Sequence, residues 1–222
     1  MASNYSPKIV TDGLVLCLDA ADKNSYPGSG TTWYDLSGNG NDGTLTNGPT
    51  FDSGNGGSIV FDGTNDYVDT GYTGLTVHTN ATTSFWCKMG DFSGAQTMGC
   101  HNSKRFYVGF NGVNAFMGVA DSYKNTTDIS SYIAIDTWMH ICMVAEDGTA
   151  TYYIDGVARD TDTYTQSSGT NPDTNFFIGA VSDPSNNNYY NGSIKNCAIW
   201  NRALTATEVS QNFNAHRSMF GA

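Results

Sequence analysis

Residues that favour turns recur along this sequence and leave room only for short regular elements between them. All but two of the 21 acidic residues are Asp, the exceptions being Glu146 and Glu208, and the chain contains 25 Gly. Asp and Gly accept tight turns and left-handed backbone positions that most other residues avoid. The sequence therefore predicts an all-β chain in which many short strands are joined by tight loops.

Apolar segments between the turns give the individual strands. Gly13–Leu18 is a continuous apolar run, which indicates a strand buried on both faces. Ser58–Asp62 and Tyr67–Thr70 flank a Gly-Thr-Asn-Asp turn and are predicted to form a hairpin, and Asp147-Gly148 predicts another hairpin. Further strands are predicted at 83–89, 105–110, 115–121, 138–145, 150–155, 176–181 and 193–201.

One helix is predicted near the C-terminus. Thr205 and Glu208 have the spacing of a capping box, in which each side chain bonds the backbone N–H of the other residue. Val209, Phe213 and Phe220 continue at helical spacing. This spacing gives the helix one apolar stripe to lie against a sheet.

Composition and charge exclude several classes of function. A formal net charge of −11 argues against nucleic acid, because few basic residues are present to neutralise phosphates. No apolar run approaches the ~20 residues that span a bilayer. The N-terminus lacks the pattern of a signal peptide, so we expect synthesis in a reducing cytosol and five buried, free cysteines. The length suits one domain, residues 13–222, preceded by a polar arm at residues 1–12.

The segment Asp35-Leu-Ser-Gly-Asn-Gly-Asn-Asp-Gly43 places oxygen-bearing side chains on alternate positions, with glycines between them. A hard cation such as calcium takes six to eight oxygen ligands in irregular geometry, which such a loop could supply. The segment lacks the twelfth-position Glu of an EF-hand. An Asn-Gly turn cluster between strands is the alternative interpretation.

The order of motifs along the chain resembles a known family. Gly13–Asp19 precedes the Asp35–Gly43 loop, and Gly57-Ser-Ile-Val-Phe-Asp-Gly63 follows it. Later come Tyr152-x-Ile-Asp-Gly156 and Ile199-Trp-Asn-Arg-Ala-Leu-Thr-x-x-Glu208. From about residue 13 to residue 214 the sequence resembles the laminin-G-like branch of the concanavalin A-like lectin and glucanase superfamily.

The resemblance implies a jelly-roll sandwich of two antiparallel sheets in which the first and last strands are neighbours. It also implies a structural calcium ion (Ca²⁺), with ligands predicted at Asp35, Ser37, Asn39 and Asn41 and with Asp19 as a neighbouring ligand. A second possible calcium site comprises Asp62, Asn65 and Asp66, for which turn chemistry is the preferred interpretation.

Catalysis is not expected. Glycoside hydrolysis needs two facing carboxyl groups, and no strand carries the closely spaced Glu and Asp residues of the glucanases. Trp138 and His140 share one face of a strand. The resemblance gives them a role in core packing rather than in a catalytic site.

Recognition of a glycan is the expected function, because aromatic faces and amide groups suit sugar rings and hydroxyls. The candidate ligand-binding residues are Trp33, Tyr34, Tyr72, Tyr123, Asn188, Tyr189 and Tyr190. Covering core edges or forming turns is the alternative role for each of them.

The absence of a signal peptide is reconciled with a lectin-like role if the protein is part of a virion. The Asp35–Gly43 loop resembles modules of tailed-phage structural proteins. We therefore expect a capsid-decoration or tail-appendage (tail-fibre) protein that binds glycans or other host-surface ligands. The partners expected for it are a capsid or tail protein and further copies of the same chain in a homo-oligomer. The alternatives are a carbohydrate-binding module of a secreted, extracellular bacterial protein, and a purely structural interaction protein without sugar affinity.

Overall fold

The computed structural model describes residues 8–75, 80–101, 106–119, 122–165, 175–181 and 188–219, with side chains left undescribed at 122–127 and at 219. The strands in chain order are β1 (Leu14–Asp19), β2 (Thr32–Trp33), β3 (Gly43–Thr46), β4 (Thr50–Asp52), β5 (Ser58–Asp62), β6 (Tyr67–Asp69), β7 (Ala81–Met89), β8 (Ala95–His101), β9 (Phe106–Asn111), β10 (Asn114–Val119), β11 (Ser122–Asp128), β12 (Trp138–Glu146), β13 (Thr149–Ile154), β14 (Val157–Thr163), β15 (Phe176–Ile178) and β16 (Asn191–Trp200). One α-helix, α1 (Ala206–His216), lies among the described residues.

These strands form two antiparallel sheets. The first sheet has the order β14-β13-β12-β7-β16-β5-β4, and β1 also pairs with β16. The second has the order β11-β10-β9-β8-β15-β6-β3-β2. The pairing of β1 with β16 joins the two ends of the domain, from Asp19 opposite Asn196 to Leu14 opposite Trp200. The predicted all-β sandwich with adjacent first and last strands is therefore confirmed.

The core lies between the two sheets because alternate residues of each strand point to opposite faces. In β9, Phe106, Val108 and Phe110 join the main core, whereas Tyr107 points to the outer face and stacks on Phe116 at 4.4 Å between ring centroids. All five cysteines are buried and free, as predicted.

The segment between β5 and β6 differs from the prediction of a hairpin. β5 pairs with β16 and β4 in the first sheet, whereas β6 pairs with β15 and β3 in the second sheet. The Gly63–Asp66 turn therefore carries the chain from one sheet to the other. Its turn chemistry is as expected, since Asp62 Oδ1 accepts a bond from the Thr64 N–H at 2.7 Å and Asp66 Oδ2 accepts one from the Asp62 N–H at 3.1 Å. The hairpin at Asp147-Gly148 is confirmed by the pairing of β12 with β13.

The predicted helix and its capping box are confirmed. The Thr205 hydroxyl accepts the Glu208 N–H, and the Glu208 carboxylate accepts the Thr205 N–H at 2.8 Å. Arg202 also donates to the Glu208 carboxylate, and this bond lowers the pKa of Glu208 to about 2. Val209 is buried, and the Phe213 ring stacks on Trp86 at 5.7 Å, so the helix covers the outer face of the first sheet. Phe220 lies outside the described residues.

His140 lies beneath this helix rather than at an open surface. Its Nε2 atom pairs with the Ser84 hydroxyl at 2.7 Å, and burial lowers the pKa of the imidazole to about 3. A neutral, buried imidazole beside Trp86 has a packing role, which agrees with the role predicted for it. No helix in the described part of the chain is long and apolar enough to cross a membrane.

Candidate ligand-binding cleft

The Asp35 carboxylate accepts hydrogen bonds that tie the predicted metal loop to β1 and hold the loop together. Asp35 Oδ1 accepts the N–H groups of Cys17 at 2.8 Å and Ser37 at 2.9 Å. Asp35 Oδ2 accepts the Ser37 hydroxyl at 2.7 Å and the Asn41 N–H at 3.1 Å. The carboxylate thus satisfies four protein donors, three of which are backbone N–H groups.

The two asparagines of the loop also bond to β1. The Asn39 amide donates to the Leu14 carbonyl at 3.2 Å, and the Asn41 amide donates to the Val15 carbonyl at 2.7 Å. Carbonyl groups at the unpaired edge of β1 need donors of this kind. We refer to Asp35–Gly43 as the latch loop, because its polar groups fasten it to that edge.

The fit of the latch loop to a cation is poor in this geometry. The Asp35 oxygens are already surrounded by hydrogen-bond donors, which would have to move before a metal could bind. Asp19 does not add to the loop, because one of its oxygens accepts the Ala21 N–H and the other lies 3.8 Å from His216 Nε2. Among the described residues, no group of three or more His, Cys, Asp or Glu side chains is arranged to hold a metal ion. Calcium at this loop stays a prediction that no bound ion tests.

A polar cleft of about 430 Å³ opens at one end of the sandwich. Three separate segments form it, namely the β5–β6 turn, the β7–β8 loop and the residues that lead into β16. Its walls consist of Asp62, Gly63, Asp91, Ser93, Gly94, Ala95, Gln96, Asn188, Tyr189 and Asn191. A ligand of the size of a few sugar rings fits a cavity of this volume.

Asp91 anchors a hydrogen-bonded network on one wall of the cleft. Its Oδ1 atom accepts the Ser93 N–H at 2.8 Å, the Ser93 hydroxyl at 2.7 Å and the Gln96 amide at 2.8 Å. Its Oδ2 atom accepts the Asn191 amide at 2.6 Å. The bonds from Ser93, with those from Asn191 and Gln96, hold the pKa of Asp91 below its usual value, so the carboxylate is ionised at neutral pH.

Gln96 connects the β7–β8 loop to β16. Its side chain is 2% exposed, and its Oε1 atom accepts the backbone N–H of Asn191 at 3.0 Å. Two glycines make room for Asn191, since a Cβ atom at Gly63 or Gly90 would come within 2.9 Å of the Asn191 side chain. The amide and carboxylate groups of the cleft are therefore held in fixed positions before any ligand arrives.

Two of the predicted ligand-binding residues line the cleft. Asn188 and Tyr189 are both partly exposed there, and the Asn188 amide lies 3.4 Å from the Tyr107 hydroxyl. Tyr34 is 46% exposed but belongs to the latch-loop region and does not line the cleft. Tyr123 lies in β11, where side chains are outside the described part of the structure.

Three other predicted residues require a correction. Trp33 and Tyr190 are fully buried, and Tyr72 is 8% exposed, so none of the three can lay a ring face against a ligand in this fold. The sequence predicted that these aromatic residues lie in exposed loops, because Gly, Asn and Asp surround them. Their rings instead join the main core, whereas the alternative prediction for them was a role at core edges or in turns.

Sequence reasoning missed Asp91, Ser93, Gln96 and Asn191. A local signal existed for the first two, because Asp followed two residues later by Ser favours a turn in which the Asp side chain bonds the backbone. No local signal relates Asp91 to Asn191, which are 100 residues apart and meet only through the pairing of β16 with β7.

A second depression, of about 530 Å³, follows the exposed side of α1. Its lining residues come from one helix alone, and Gln211 there donates to the Lys8 carbonyl at 2.7 Å. Ordinary relief along a helix surface accounts for it. The cleft is the better candidate because three segments converge on it.

Comparison with known proteins gives the same fold. Residues 62–210 match Laminin_G_3, a family described as concanavalin A-like lectin/glucanases superfamily. No curated protein matches the sequence. The binding domain of Paraclostridial Mosquitocidal Protein 1 has a similar structure, with a TM-score of 0.72 and 18% identity over 93% of this chain and 53% of that one. The present chain therefore spans about half the length of that binding domain.

Two further solved structures are similar over most of this chain. Domain 4 of AbnA, an extracellular GH43 arabinanase from Geobacillus stearothermophilus, in complex with arabinotriose, gives a TM-score of 0.67 and 20% identity over 90% of this chain and 97% of that one. Trypanosoma rangeli sialidase in complex with sialic acid gives a TM-score of 0.68 and 13% identity over 95% of this chain and 34% of that one. Likeness at these identities establishes the fold and leaves the ligand open.

Proposed function

This chain belongs to the concanavalin A-like lectin/glucanases superfamily, and from that membership we propose that it is a non-catalytic carbohydrate-binding domain. Its ligand occupies the polar cleft between the β5–β6 turn, the β7–β8 loop and the start of β16. The observation that carries this proposal is the fixed network of Asp91, Gln96 and Asn191 on the cleft wall.

The chemistry of the cleft suits a polyhydroxylated ligand. Each sugar hydroxyl both donates and accepts a hydrogen bond, so it needs acceptors and donors side by side. Asp91 supplies carboxylate acceptors, whereas Asn188 and Asn191 carry amides with both kinds of group. Tyr189 adds an aromatic ring, and such rings pack against the apolar faces of sugars. Because the network is already ordered, binding loses little side-chain entropy.

The arabinanase domain supports this interpretation by analogy. It has the same fold, the match with this chain extends over nearly the whole arabinanase domain, and its structure was solved in complex with arabinotriose. A separate domain of an arabinanase with this fold therefore holds an oligosaccharide, and we propose the same class of ligand here.

The electrostatics of the cleft favour binding over hydrolysis. A glycosidase needs a carboxylic acid whose pKa is raised so that it can protonate the leaving oxygen. The pKa of Asp91 is instead lowered by its hydrogen bonds. Asp62, the other acid of the cleft, accepts the Thr64 N–H at 2.7 Å as part of a turn. We propose that both carboxylates are acceptors for a bound ligand.

Binding to a panel of neutral and acidic oligosaccharides, followed by calorimetry on the best ligand, tests the proposal. Tyr189→Ala should weaken binding at least tenfold because the ring contact is lost. Tyr34→Ala is the matched control, since Tyr34 is an exposed tyrosine outside the cleft. Equal losses in the two variants, or no binding to any sugar, would contradict the proposed site.

The finer setting that we propose is the surface of a phage virion, as a capsid-decoration or tail-appendage protein. The resemblance of the latch loop to modules of tailed-phage proteins supports it. A carbohydrate-binding module of a secreted protein is the second candidate, favoured by the likeness to a separate domain of an extracellular arabinanase. Mass spectrometry of purified particles separates them, because a virion protein must be present in stoichiometric amounts.

A further inference from the structure

We propose that the cleft selects uncharged glycans and rejects anionic ones, such as sialylated sugars and uronic-acid oligomers. This inference rests on the proposed function and specifies the class of ligand for the same site. The charge of the cleft wall and the neutral character of the groups around it carry the inference.

Carboxylates are the only ionisable acids or bases among the described residues that line the cleft, apart from the Tyr189 phenol. Asp62 and Asp91 belong to its wall, and none of the wall residues in the described ranges is Lys, Arg or His. Two carboxylates without a cation make the local potential negative. The formal net charge of −11 on the whole chain adds to this potential rather than opposing it.

The groups that stabilise Asp91 do not cancel its charge. Its four hydrogen bonds come from neutral donors of Ser93, Gln96 and Asn191. The ion pairs found in the described part of the chain involve Arg202 and His216, and neither pairs with Asp62 or Asp91. A full negative charge therefore faces whatever enters the cleft.

Recognition of an anionic sugar needs the opposite arrangement. Carboxylate ligands are held by Arg or Lys, above all by the two parallel N–H groups of a guanidinium. In this cleft a ligand carboxylate would meet two charges of its own sign. At about 6 Å in water each of them disfavours binding about threefold, so the pair disfavours it about tenfold.

Matched pairs of sugars test the inference directly. Lactose and 3′-sialyllactose differ by one sialic acid, and galactotriose and trigalacturonic acid differ by the oxidation of their hydroxymethyl groups. We expect the neutral member of a bound pair to bind about tenfold more tightly at 20 mM salt. Raising the salt to 500 mM should reduce this ratio, because salt screens repulsion between solvent-exposed charges.

Asp62→Asn supplies the critical variant. Asp62 is exposed, and the Asn side chain keeps an oxygen for the Thr64 N–H, so the turn should survive. The variant should lower the preference for the neutral sugar about threefold. Asp52→Asn is the matched control, because exposed Asp52 likewise accepts one backbone N–H, from Gly54 at 2.9 Å, and lies at the opposite end of β5. It should leave the preference unchanged.

The outcomes separate this inference from the proposed function. Binding of the acidic member as tightly as the neutral member, or more tightly, overturns the inference and leaves the function standing. An equal change of preference in Asp62→Asn and Asp52→Asn overturns the role of the cleft charge. Absence of binding to every sugar of the panel overturns the proposed function and this inference with it.

Discussion

The latch loop and the cleft are built from the same kinds of residue but use them differently. In the latch loop, the Asp35 carboxylate turns inward and accepts three backbone N–H groups and one hydroxyl. In the cleft, three of the four donors to Asp91 are side-chain groups, and the carboxylate borders open space. The difference shows that carboxylates and amides are candidates for ligand binding only where some of them face open space. Where they mainly bond the backbone, as in the latch loop, their role is structural.

Among the substitutions that distinguish the two regions, Asp35→Ala is expected to have the largest effect on the free energy of unfolding. Asp35→Ala leaves the N–H groups of Cys17, Ser37 and Asn41 without their acceptor. Buried or half-buried donors that lose a charged partner cost about 1–3 kcal/mol each when left unsatisfied, and water can reach some of them here. We expect a loss of about 3 kcal/mol in the free energy of unfolding, measured by urea denaturation.

Asp52→Ala is the control for this loss, because exposed Asp52 accepts one backbone N–H in the described part of the chain, that of Gly54. It should cost about 0.5 kcal/mol or less. Sugar binding by the folded fraction should be the same in both variants as in the parent chain. A loss below 1 kcal/mol for Asp35→Ala would show that the latch loop does not hold β1.

The second effect concerns Gln96, which belongs to the cleft but is itself buried. Gln96→Ala removes the acceptor for the Asn191 N–H and a donor to Asp91. We expect a loss of about 2 kcal/mol in stability, from the unsatisfied groups and the small cavity. Sugar affinity should also fall at least tenfold, because the cleft wall loses its fixed geometry.

Gln211→Ala is a suitable glutamine control, since its amide donates to the Lys8 carbonyl at the protein surface. It should lower stability by about 0.5 kcal/mol and leave binding unchanged. A Gln96 variant that loses stability but binds sugar normally would move the ligand site away from this wall.

The contrast between the two regions also explains what the sequence could predict. The latch loop, the Thr205–Glu208 capping box and the Asp147-Gly148 turn are local patterns, and each is visible as one short segment. β6 belongs to the second sheet because it pairs with β3 and β15, which are distant in the sequence or lie on the far side of β5. Local turn chemistry at Gly63–Asp66 therefore could not distinguish a hairpin from a connection between the two sheets. The cleft joins residues near 62, 91 and 191, and no single segment contains its pattern.

Burial explains the remaining errors. Trp33 and Tyr190 lie beside turn residues in the sequence, yet their rings extend into the space between the sheets. Large aromatic rings gain more by burial than the flanking polar residues can oppose. Asn188 and Tyr189, from the same polar stretch as Tyr190, do line the cleft, and their contact with a ligand stays a prediction.

A smaller effect should appear on acidification. Because the pKa of Asp91 is lowered in the folded protein, its contribution to stability is complete above the unfolded pKa of about 4 and is lost as the pH falls through the folded value. The difference in stability between the parent chain and Asp91→Asn should therefore be constant from pH 5 to 8. Below pH 4 it should shrink by about 0.5 kcal/mol, since solvent screens this partly exposed group.

Urea denaturation at closely spaced pH values between 2 and 6 measures this change. Glu208, whose pKa is lowered to about 2, titrates in the same pH range and lowers the stability of the parent chain and of Asp91→Asn alike. Subtracting one curve of stability against pH from the other removes this shared effect. A difference that grows below pH 4 would show that the Asp91 carboxylate is not stabilised by its four donors.

The smallest effect is expected from calcium, and it bears directly on the latch loop. At a free calcium concentration of about 100 times the dissociation constant, a metal site would stabilise the protein by about 2.7 kcal/mol and raise the Tm by roughly 5–11 °C. The Asp35 oxygens already accept four protein donors, which a cation would have to displace. We therefore expect the Tm in excess calcium and in excess chelator to agree within about 1 °C. If calcium instead raises the Tm by several degrees, and Asp35→Ala abolishes the rise, the loop is a metal site whose bound form differs from this geometry. If the rise survives in Asp35→Ala but disappears in Asp62→Asn, the ion binds at the cleft, and Asp62 is then a metal ligand rather than an acceptor for a sugar.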